Sequence, residues 1–379
     1  MKYTNEGSWR TALANGMKKV KEYPDPKNTI SYAFAITREE WEKRKTVERF
    51  PGIGCAWMNA AGKESAEYFG EADRENHIAV TDQTIFPACS ISKFVTAICI
   101  MKLHGKQVID IDKPVNDYLR QWKLLTLEEK ESDAAVRALL CHTAGIMDGD
   151  DGFYGLRRGD PEVSLIDILE GRTVYNSRPA RAGMPQGTAF EYSDAGYCVL
   201  QLLVREVTGK AFEDAAKELV FDPLHLENTF FASPGNVAAY ENSKTMATGY
   251  DEAGIPIPGK YPQVPDLAAS GLWSTPKELV TIGKAFVSAL HGESVFLQEP
   301  SAREMAKPVE KFPWTGLGVF TDGEDRLVSR GWGENGQCVL KMNCRTGQVC
   351  AVMTNRNPGV DQTESGIEGL TDSKLSGTI

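Results

Sequence analysis

The order of strand-like and helix-like segments constrains the fold of this 379-residue chain more than any other feature of its sequence. Short runs rich in β-branched and aromatic residues lie near both ends, and turn residues separate them. These runs are residues 53–58, 66–69, 316–321, 327–329, 337–342 and 348–354. Residues 90–231, which lie between them, have the apolar spacing of helices. The order predicts one sheet built from both chain ends, with a helical region inserted between them.

The first part of the chain carries three local signals. Residues 9–23 have the pattern of an exposed amphipathic helix, and the charged residues 39–48 indicate a surface segment. Asn59, Ala60, Ala61 and Gly62 predict the turn of a hairpin between the first two strand-like runs.

Charge and hydropathy exclude several classes of protein. The chain is 41% hydrophobic and 25% charged, which is typical of a globular protein rather than a disordered or fibrous one. Its net charge of −10 disfavours nucleic acid as a partner, because phosphates are repelled. The longest apolar stretch, residues 94–103, is well short of the roughly 20 residues of a membrane span, and residues 1–21 show no secretory signal. We therefore expect a cytoplasmic protein with neither nucleic acid nor a membrane as its partner, and its oligomeric state is left open.

The cysteine and glycine patterns predict no metal and no cofactor. Eight cysteines without a secretory signal indicate free thiols in a reducing compartment. Cys338, Cys344 and Cys350 recur every six residues without a nearby histidine, unlike zinc ligands, so we interpret them as small core residues on strands. Residues 331–336 match a dinucleotide-binding glycine pattern, but residues 337–342 predict a strand where that motif requires a helix.

Ser90 and Lys93 form the most informative short motif, Ser-x-x-Lys. On a helix this spacing places the hydroxyl and the ammonium on one face. The following residues 94–103 are apolar nearly all round, which predicts a helix buried on every side. Burial would lower the pKa of Lys93, so that it could help to remove the Ser90 proton and make the hydroxyl a nucleophile. The alternative is that Ser90 is simply a helix cap.

The same spacing occurs at residues 274–277, where capping explains it. Thr275 suits an N-cap, Pro276 suits the first helical position, and Glu278 would close a capping box. We therefore expect Ser274 to have no catalytic role.

Tyr192, Ser193 and Asp194 form the second candidate motif. A tyrosine beside a lysine can be held as a phenolate and act as a general base. Similar Tyr-x-Asn or Tyr-x-Asp patterns begin at Tyr3, Tyr23 and Tyr240. Ser193 and Asp194 could also simply cap a helix that starts near residue 195, so spacing alone leaves the choice open.

Five segments in a fixed order resemble the serine β-lactamase and penicillin-binding protein superfamily. They are most similar to the branch with class C β-lactamases, D-aminopeptidases, D,D-peptidases and family VIII carboxylesterases. The segments are residues 86–94, 105–115, 139–146, 190–197 and 269–275. The resemblance extends from about residue 51 to residue 355.

The resemblance implies an α/β fold of the β-lactamase/transpeptidase type. An antiparallel sheet flanked by helices would be built from both chain ends, with an all-helical region inserted. The expected boundaries are residues 1–89 and 251–379 for the sheet domain and residues 90–250 for the helical domain, with the active site at their interface.

The resemblance also implies roles for individual residues. Ser90 would be the acylated nucleophile, and Lys93 and Tyr192 would share proton transfer. The backbone N–H groups of Ser90 and Asn335 would form the oxyanion hole, which is worth several kcal/mol in a transition state. We expect His142 to be a structural residue of its loop.

Two departures from the family pattern concern substrate binding. The third motif, usually Lys or His followed by a small residue and Gly, is matched here by Trp332, Gly333 and Glu334, and Trp at its head resembles the carboxylesterase branch. Asp194 replaces the Asn of β-lactamases, and an ionised Asp cannot donate to a substrate carbonyl. These four residues are the predicted substrate-binding residues.

The sequence therefore predicts a serine hydrolase that acts through an acyl-enzyme on small esters, amides or D-amino-acid peptides. One alternative is a β-lactamase or D,D-carboxypeptidase. A second is a non-catalytic penicillin-binding module, which the intact Ser90, Lys93 and Tyr192 argue against.

Overall fold

A computed structural model describes residues 46–149, 152–153, 156–157, 159–233, 235–243, 245–323 and 325–376. The helix predicted at residues 9–23 lies outside the described residues, as does most of the charged segment 39–48. The described strands are β1 (Gly52–Met58), β2 (Glu64–Asp73), β3 (Ile78–Ala79), β4 (Thr84–Cys89), β5 (Leu125–Thr126), β6 (Arg181–Ala182), β7 (Phe230–Phe231), β8 (Thr245–Met246), β9 (Leu272–Ser274), β10 (Phe320–Thr321), β11 (Arg326–Gly333), β12 (Gly336–Asn343) and β13 (Val349–Thr354).

The described α-helices are distributed along the chain from residue 91 to residue 376. They are α1 (Ile91–Gly105), α2 (Val136–Leu140), α3 (Leu165–Leu169), α4 (Asp194–Thr208), α5 (Phe212–Ala216), α6 (Val237–Ser243), α7 (Leu267–Ser270), α8 (Pro276–Leu290), α9 (Glu299–Ala306), α10 (Gln362–Ser365) and α11 (Ile367–Ser376).

The main sheet is antiparallel and is built from both chain ends, as predicted. Its seven strands have the order β10-β11-β12-β13-β1-β2-β3, so that β13 from the end of the chain pairs with β1 from its start. The predicted turn joins β1 to β2, where the Asn59 side chain accepts hydrogen bonds from the N–H groups of Ala61 and Lys63, each 3.0 Å long. The α/β fold class is confirmed.

The inserted region is not entirely helical. It contains the two-residue strands β5, β6, β7 and β8, which are too short to produce a period-two pattern that the sequence would reveal. In the run predicted at residues 316–321, only Phe320–Thr321 forms a strand. The division into two domains with boundaries at residues 89 and 250 stays a prediction.

Helix α1 runs through the largest core cluster, which explains its apolar sequence. All of its residues from Ile91 to Met101 are buried, and Phe94 packs edge-on against Phe286 of α8, with 5.1 Å between the ring centroids. Helix α8 covers one face of the main sheet and α11 covers the other. A rigid, fully packed α1 fixes the position of the residues at its N-terminus.

The eight cysteines are free. Cys338 on β12 and Cys350 on β13 are buried strand residues, as predicted. Cys344 lies in the turn after β12, so its predicted place on a strand is wrong, because the turn beginning at Asn343 ends the strand one residue earlier. None of the helices in the described part of the chain combines the length and the apolar character needed to cross a membrane.

Candidate active site

Ser90 lies at a sharp change from strand to helix. Strand β4 ends at Cys89, whose φ of 47° is in the left-handed region that residues with a side chain disfavour. Ser90 follows at the N-terminus of α1 and is partly exposed. Its side chain makes no capping bond to α1, so the interpretation of Ser90 as a simple cap is not supported. Strain of this kind is typical of functional positions.

Lys93 is directed at Ser90 from the first turn of α1. Its Nζ donates hydrogen bonds to Ser90 Oγ at 3.1 Å and to the carbonyl oxygen of Ala269 at 3.0 Å. The same Nζ lies 2.6 Å from Oδ1 of Asp194. The side chain of Lys93 is only 4% exposed and that of Asp194 is 24% exposed, so this ion pair is screened little by solvent.

Tyr192 completes the group of three predicted catalytic residues. Its hydroxyl is hydrogen-bonded to both Lys93 and Ser90, and its ring centroid lies 4.8 Å from Lys93 Nζ. Burial raises the pKa of Tyr192, the ammonium of Lys93 opposes that shift, and the charge of Asp194 adds to it. The structure thus brings Tyr192, from a distant part of the chain, to the neighbouring Ser90 and Lys93.

The pKa of Lys93 is shifted in the direction opposite to the predicted one. Burial lowers it, as expected, but the Asp194 carboxylate and the Tyr192 oxygen outweigh burial, and the pKa is raised. The prediction of a lowered pKa is therefore wrong, because it included desolvation and omitted the adjacent opposite charge. Lys93 is an ammonium at neutral pH.

Asp194 does not cap helix α4. The N-cap is Ser193, whose Oγ accepts a hydrogen bond from the N–H of Gly196 at 2.9 Å. Asp194 instead pairs with Lys93. The geometry therefore favours pairing with the lysine over the capping role.

The ring of His142 packs against the ring of Tyr192. The two rings stack with 4.4 Å between their centroids, and His142 Nδ1 accepts the N–H of Ser193 at 3.1 Å. Burial and the charge of Lys93 hold the pKa of His142 well below its usual value. A neutral ring in this position is consistent with the structural role expected for His142.

Residues that sequence analysis did not select also line the cavity at Ser90. They are Thr315, Gly318, Val319, Phe320, Ser329 and Arg330. Ser329 and Arg330 lie on β11 just before the predicted third motif, and the others lie on the segment that leads into β10. No local motif marks these residues, because their proximity to Ser90 depends on strand register.

The register of β11 places Gly331 beside the nucleophile segment. A Cβ atom at Gly331 would lie 2.4 Å from the Ala88 carbonyl oxygen, so only glycine fits there. Among the predicted third-motif residues, Gly333 faces the Cys89 side chain, and Trp332 Nε1 donates to Asn357 at 2.8 Å.

The turn between β11 and β12 contains the other two residues predicted there. Asn335 is buried and packs against Gly249. A Cβ atom added at Gly249 would lie 2.3 Å from the Cβ of Asn335. Glu334 pairs with Arg157, with 2.5 Å between Oε2 and Nη2.

Two arginines near the third motif are already paired with glutamates. Arg157 pairs with Glu334, as described above. Arg330 donates from Nε and Nη2 to the Glu368 carboxylate on α11. Arg330 is not the only cation close to this motif in the described part of the chain, because Arg157 reaches it from a distant loop.

Two further carboxyl groups lie near the Lys93–Asp194 pair. Asp266 accepts a hydrogen bond from the Tyr175 hydroxyl at 2.5 Å, and burial together with the charge of Asp194 raises the pKa of Asp266 to about 8. For the same reasons the pKa of Asp148 is raised to about 7. Both carboxyl groups therefore keep their protons to a higher pH than an exposed aspartate does.

The second Ser-x-x-Lys match has no site. Ser274 is fully buried and bonded to Thr229, whereas Lys277 pairs with Asp82 at the surface. Thr275 is the N-cap of α8, as predicted, since its hydroxyl accepts the N–H of Glu278 at 3.2 Å.

The predicted capping box at α8 is wrong. The carboxylate of Glu278 accepts the N–H groups of Glu227 and Asn228 from a distant loop, instead of turning back to the N-cap.

A serine at a strand-to-helix turn, with a lysine and a tyrosine on its hydroxyl, defines the class of serine acyl-transfer proteins of the β-lactamase type. The chain matches the Beta-lactamase family model over residues 40–369 and belongs to that family. Among its relatives, a putative penicillin-binding protein, PbpX, of Bacillus subtilis (strain 168) is 26% identical over 275 residues, 70% of this chain and 61% of the relative. A teichoic acid D-alanine hydrolase of Staphylococcus aureus is 25% identical over 232 residues, 61% of this chain and 52% of the relative.

Solved structures show the same fold. An octameric penicillin-binding protein homologue from Pyrococcus abyssi has a TM-score of 0.71 and 23% identity, covering 89% of this chain and 76% of its own. D-amino acid amidase from Ochrobactrum anthropi SV3 has a TM-score of 0.71 and 19% identity, covering 89% and 99%. In four of the curated relatives the matched region spans only about 38% to 61% of the relative's own length.

Proposed function

We propose that this protein is a serine hydrolase that forms an acyl-enzyme on Ser90 with small esters, amides or D-amino-acid peptides. The observation that supports this most is the convergence of Lys93 Nζ, at 3.1 Å, and the Tyr192 hydroxyl on Ser90 Oγ. Relatives named Esterase EstB, of Burkholderia gladioli, and teichoic acid D-alanine hydrolase are consistent with ester or amide substrates.

In the proposed reaction Ser90 Oγ bonds to the acyl carbon while its proton passes to the Lys93–Tyr192 pair. The leaving group takes that proton as its bond to the acyl carbon breaks, and water then repeats the steps to release the acid. Because Lys93 is already an ammonium, only the phenolate form of Tyr192 can accept that proton. Burial, which raises the pKa of Tyr192, and the charge of Asp194 disfavour this form, whereas the positive charge of Lys93 favours it.

For the oxyanion hole we propose the N–H groups of Ser90 and Trp332, the latter in place of Asn335. In an antiparallel pair of strands, opposite residues alternate between hydrogen-bonded and non-hydrogen-bonded pairs. Gly333 and Gly336 flank a two-residue turn and form a hydrogen-bonded pair, so the next pair, Trp332 and Gln337, is not hydrogen-bonded. The N–H of Gln337 donates to Thr354 instead, in agreement with this alternation. The Trp332 N–H therefore points away from β12, and the cavity at Ser90 is lined by the preceding β11 residues Ser329 and Arg330.

The proposed substrates lack a carboxylate next to the reacting bond. A carboxylate there would have to displace a glutamate to pair with Arg157 or Arg330, because both arginines already pair with glutamates. Loss of a charge-assisted hydrogen bond costs about 1.5–3 kcal/mol, so penicillin or cephalosporin turnover should be slow beside that of a short-chain aryl ester. Efficient β-lactam hydrolysis that Arg330→Ala abolishes would instead favour the alternative, a β-lactamase or D,D-carboxypeptidase.

One experiment tests the proposed function. The protein is incubated with a fluorophosphonate and analysed by mass spectrometry, and turnover is measured with p-nitrophenyl esters, D-amino-acid p-nitroanilides and nitrocefin. We expect a label on Ser90, turnover of an ester or anilide, and loss of both in Ser90→Ala. Ser274→Ala is the control and should keep both. Labelling without turnover of any substrate would favour a non-catalytic binding module.

We also propose that the protein works in the cytoplasm. The eight free cysteines support a reducing compartment. The net charge of −10 supports a small molecule rather than a nucleic acid as its ligand.

A further inference from the structure

We propose that Asp148 is a positioning residue for the reaction, whose carboxylate fixes the segment that carries Tyr192 against the loop of residues 142–149. This inference rests on the proposed function, because it concerns the geometry of the same site. Asp148 belongs to neither of the two motifs that identify the catalytic residues, and it does not touch Ser90.

The carboxylate of Asp148 accepts three hydrogen bonds from the residues that follow Tyr192. Its Oδ1 accepts the hydroxyl of Ser193 at 2.7 Å and the N–H of Ala195 at 3.1 Å, and its Oδ2 accepts the N–H of Asp194 at 2.5 Å. These donors form the N-terminus of the 15-residue helix α4, where a negative charge is also favoured by the helix dipole.

The same loop holds the chain on the other side of Tyr192. The carbonyl oxygen of His142 accepts the N–H of Glu191 at 2.8 Å, and its Nδ1 accepts the N–H of Ser193. Four N–H groups that flank Tyr192, those of residues 191, 193, 194 and 195, are therefore bonded to His142 or Asp148 at the two ends of one loop. Tyr192 has two flexible side-chain torsions, so fixing its backbone on both sides directs its hydroxyl at Ser90.

The charged groups around Asp148 make its ionisation sensitive to pH. It faces the Asp194 carboxylate and the Cys198 thiol on α4, with Lys93 beyond Asp194, while Arg178 contacts its carbonyl oxygen rather than its carboxylate. Burial and the charge of Asp194 raise the pKa of Asp148 to about 7. Only the ionised carboxylate can accept from all three donors without turning one oxygen into a donor.

Ionisation of Asp148 has opposite effects on activity and on stability. Because its pKa is raised on folding, its contribution to folding stability is full below the unfolded pKa and is lost as the pH rises through about 7. The proposal requires kcat to increase over the same interval, since the ionised form holds Tyr192. A purely structural cap would make activity follow stability instead.

The test compares Asp148→Asn with the wild-type protein, using a neutral p-nitrophenyl ester. Asparagine has the same shape but must present an N–H group to one of the three donors, so we expect kcat to fall by about ten- to a hundredfold. KM should change little, and the inflection of kcat near pH 7 should disappear. Asp167→Asn is the matched control: Asp167 also accepts a bond from an N-cap serine hydroxyl, at the surface start of α3, and its substitution should change neither parameter.

Three results would contradict the inference. The first is a folded Asp148→Asn with wild-type kcat and an unmoved inflection. If that variant does not fold, Ser193→Ala decides, because losing the hydroxyl bond that lowers the pKa of Asp148 should move the inflection to higher pH, and an unmoved inflection would be contrary. The third is a wild-type profile without any inflection near pH 7. A wild-type protein with neither labelling of Ser90 nor turnover would contradict the proposed function itself, and this inference with it.

Discussion

Replacing Asp194 with asparagine should change both the stability and the pH dependence of this protein, because Asp194 is the ion-pair partner of Lys93. At the observed 2.6 Å, two unit charges attract each other by about 6 kcal/mol at an effective dielectric constant of about 20. Most of that is offset by the cost of removing Lys93 from water. Asparagine keeps an oxygen that can accept from Lys93, so the expected loss is that of a charge-assisted bond, about 1.5–3 kcal/mol at neutral pH.

The effect on activity follows from the two groups that Asp194 influences. Its charge raises the pKa of Lys93 and of Tyr192, so its removal lowers both. Each group then gives up its proton at lower pH, so the acidic limb of the pH–rate profile moves to lower pH. Because this change concerns the base and not substrate binding, it should be the same for every substrate.

The assay measures unfolding in urea and kcat/KM as a function of pH for two matched substrates. One is the p-nitrophenyl ester of an amino acid with a free amine, and the other is its N-acetylated form. A loss confined to the free-amine substrate would refute the argument and assign Asp194 to recognition of a substrate ammonium. Unchanged stability and an unchanged profile would refute it too, and would leave Asp194 with a local structural role.

Three further predictions concern the nucleophile, the oxyanion hole and the outer face of the sheet. Ser90→Ala should abolish turnover and labelling without loss of the fold, and Lys93→Ala alone should cost nearly as much kcat as the double variant, since such groups act as a unit; additive losses would contradict this. Trp332→Pro, which removes an N–H, should lower kcat by about 10²–10³ relative to Trp332→Ala, which keeps it; equal rates would rule out this donor. Burial opposes ionisation of Glu368, yet Arg330 and Lys341 lower its pKa from 4.5 to about 2, so Glu368→Gln should lose about 3 kcal/mol of unfolding free energy at pH 7. That difference should vanish as the pH falls through about 2, and a constant difference in urea-unfolding experiments at low pH would be contrary.

Local features of the fold could be predicted because local chemistry determines them. The apolar run at residues 94–103 can only be a helix buried on all sides, and α1 is one. Asn59 and Thr275 stabilise a turn and a helix start through hydrogen bonds to residues two to four positions away, which spacing alone reveals. The relative placement of Ser90 and Lys93 is equally local, since both lie on the first turn of one helix.

Features that depend on register and on distant partners could not be predicted in the same way. Side chains alternate along β11, so a shift of one residue in the alignment decides whether Trp332 or Gly331 faces the nucleophile segment. The Glu278 carboxylate is expected from its spacing to turn back on its own helix, but it accepts the N–H groups of Glu227 and Asn228 from a distant loop. Two-residue strands such as β5 have no pattern to recognise.

Residue type and spacing identify the groups that can react, but the protonation state in which these groups are held depends on the fold. Ser90, Lys93 and Tyr192 are identifiable from residue type, spacing and family resemblance. The pKa of Lys93 is not, because burial lowers it while the charge of Asp194 raises it, and the balance depends on a 2.6 Å distance between two separate helices. The role inferred for Asp148 likewise exists only where the loop after His142 meets the start of α4, since electrostatic and hydrogen-bond energies depend on separation in space and not on separation along the chain.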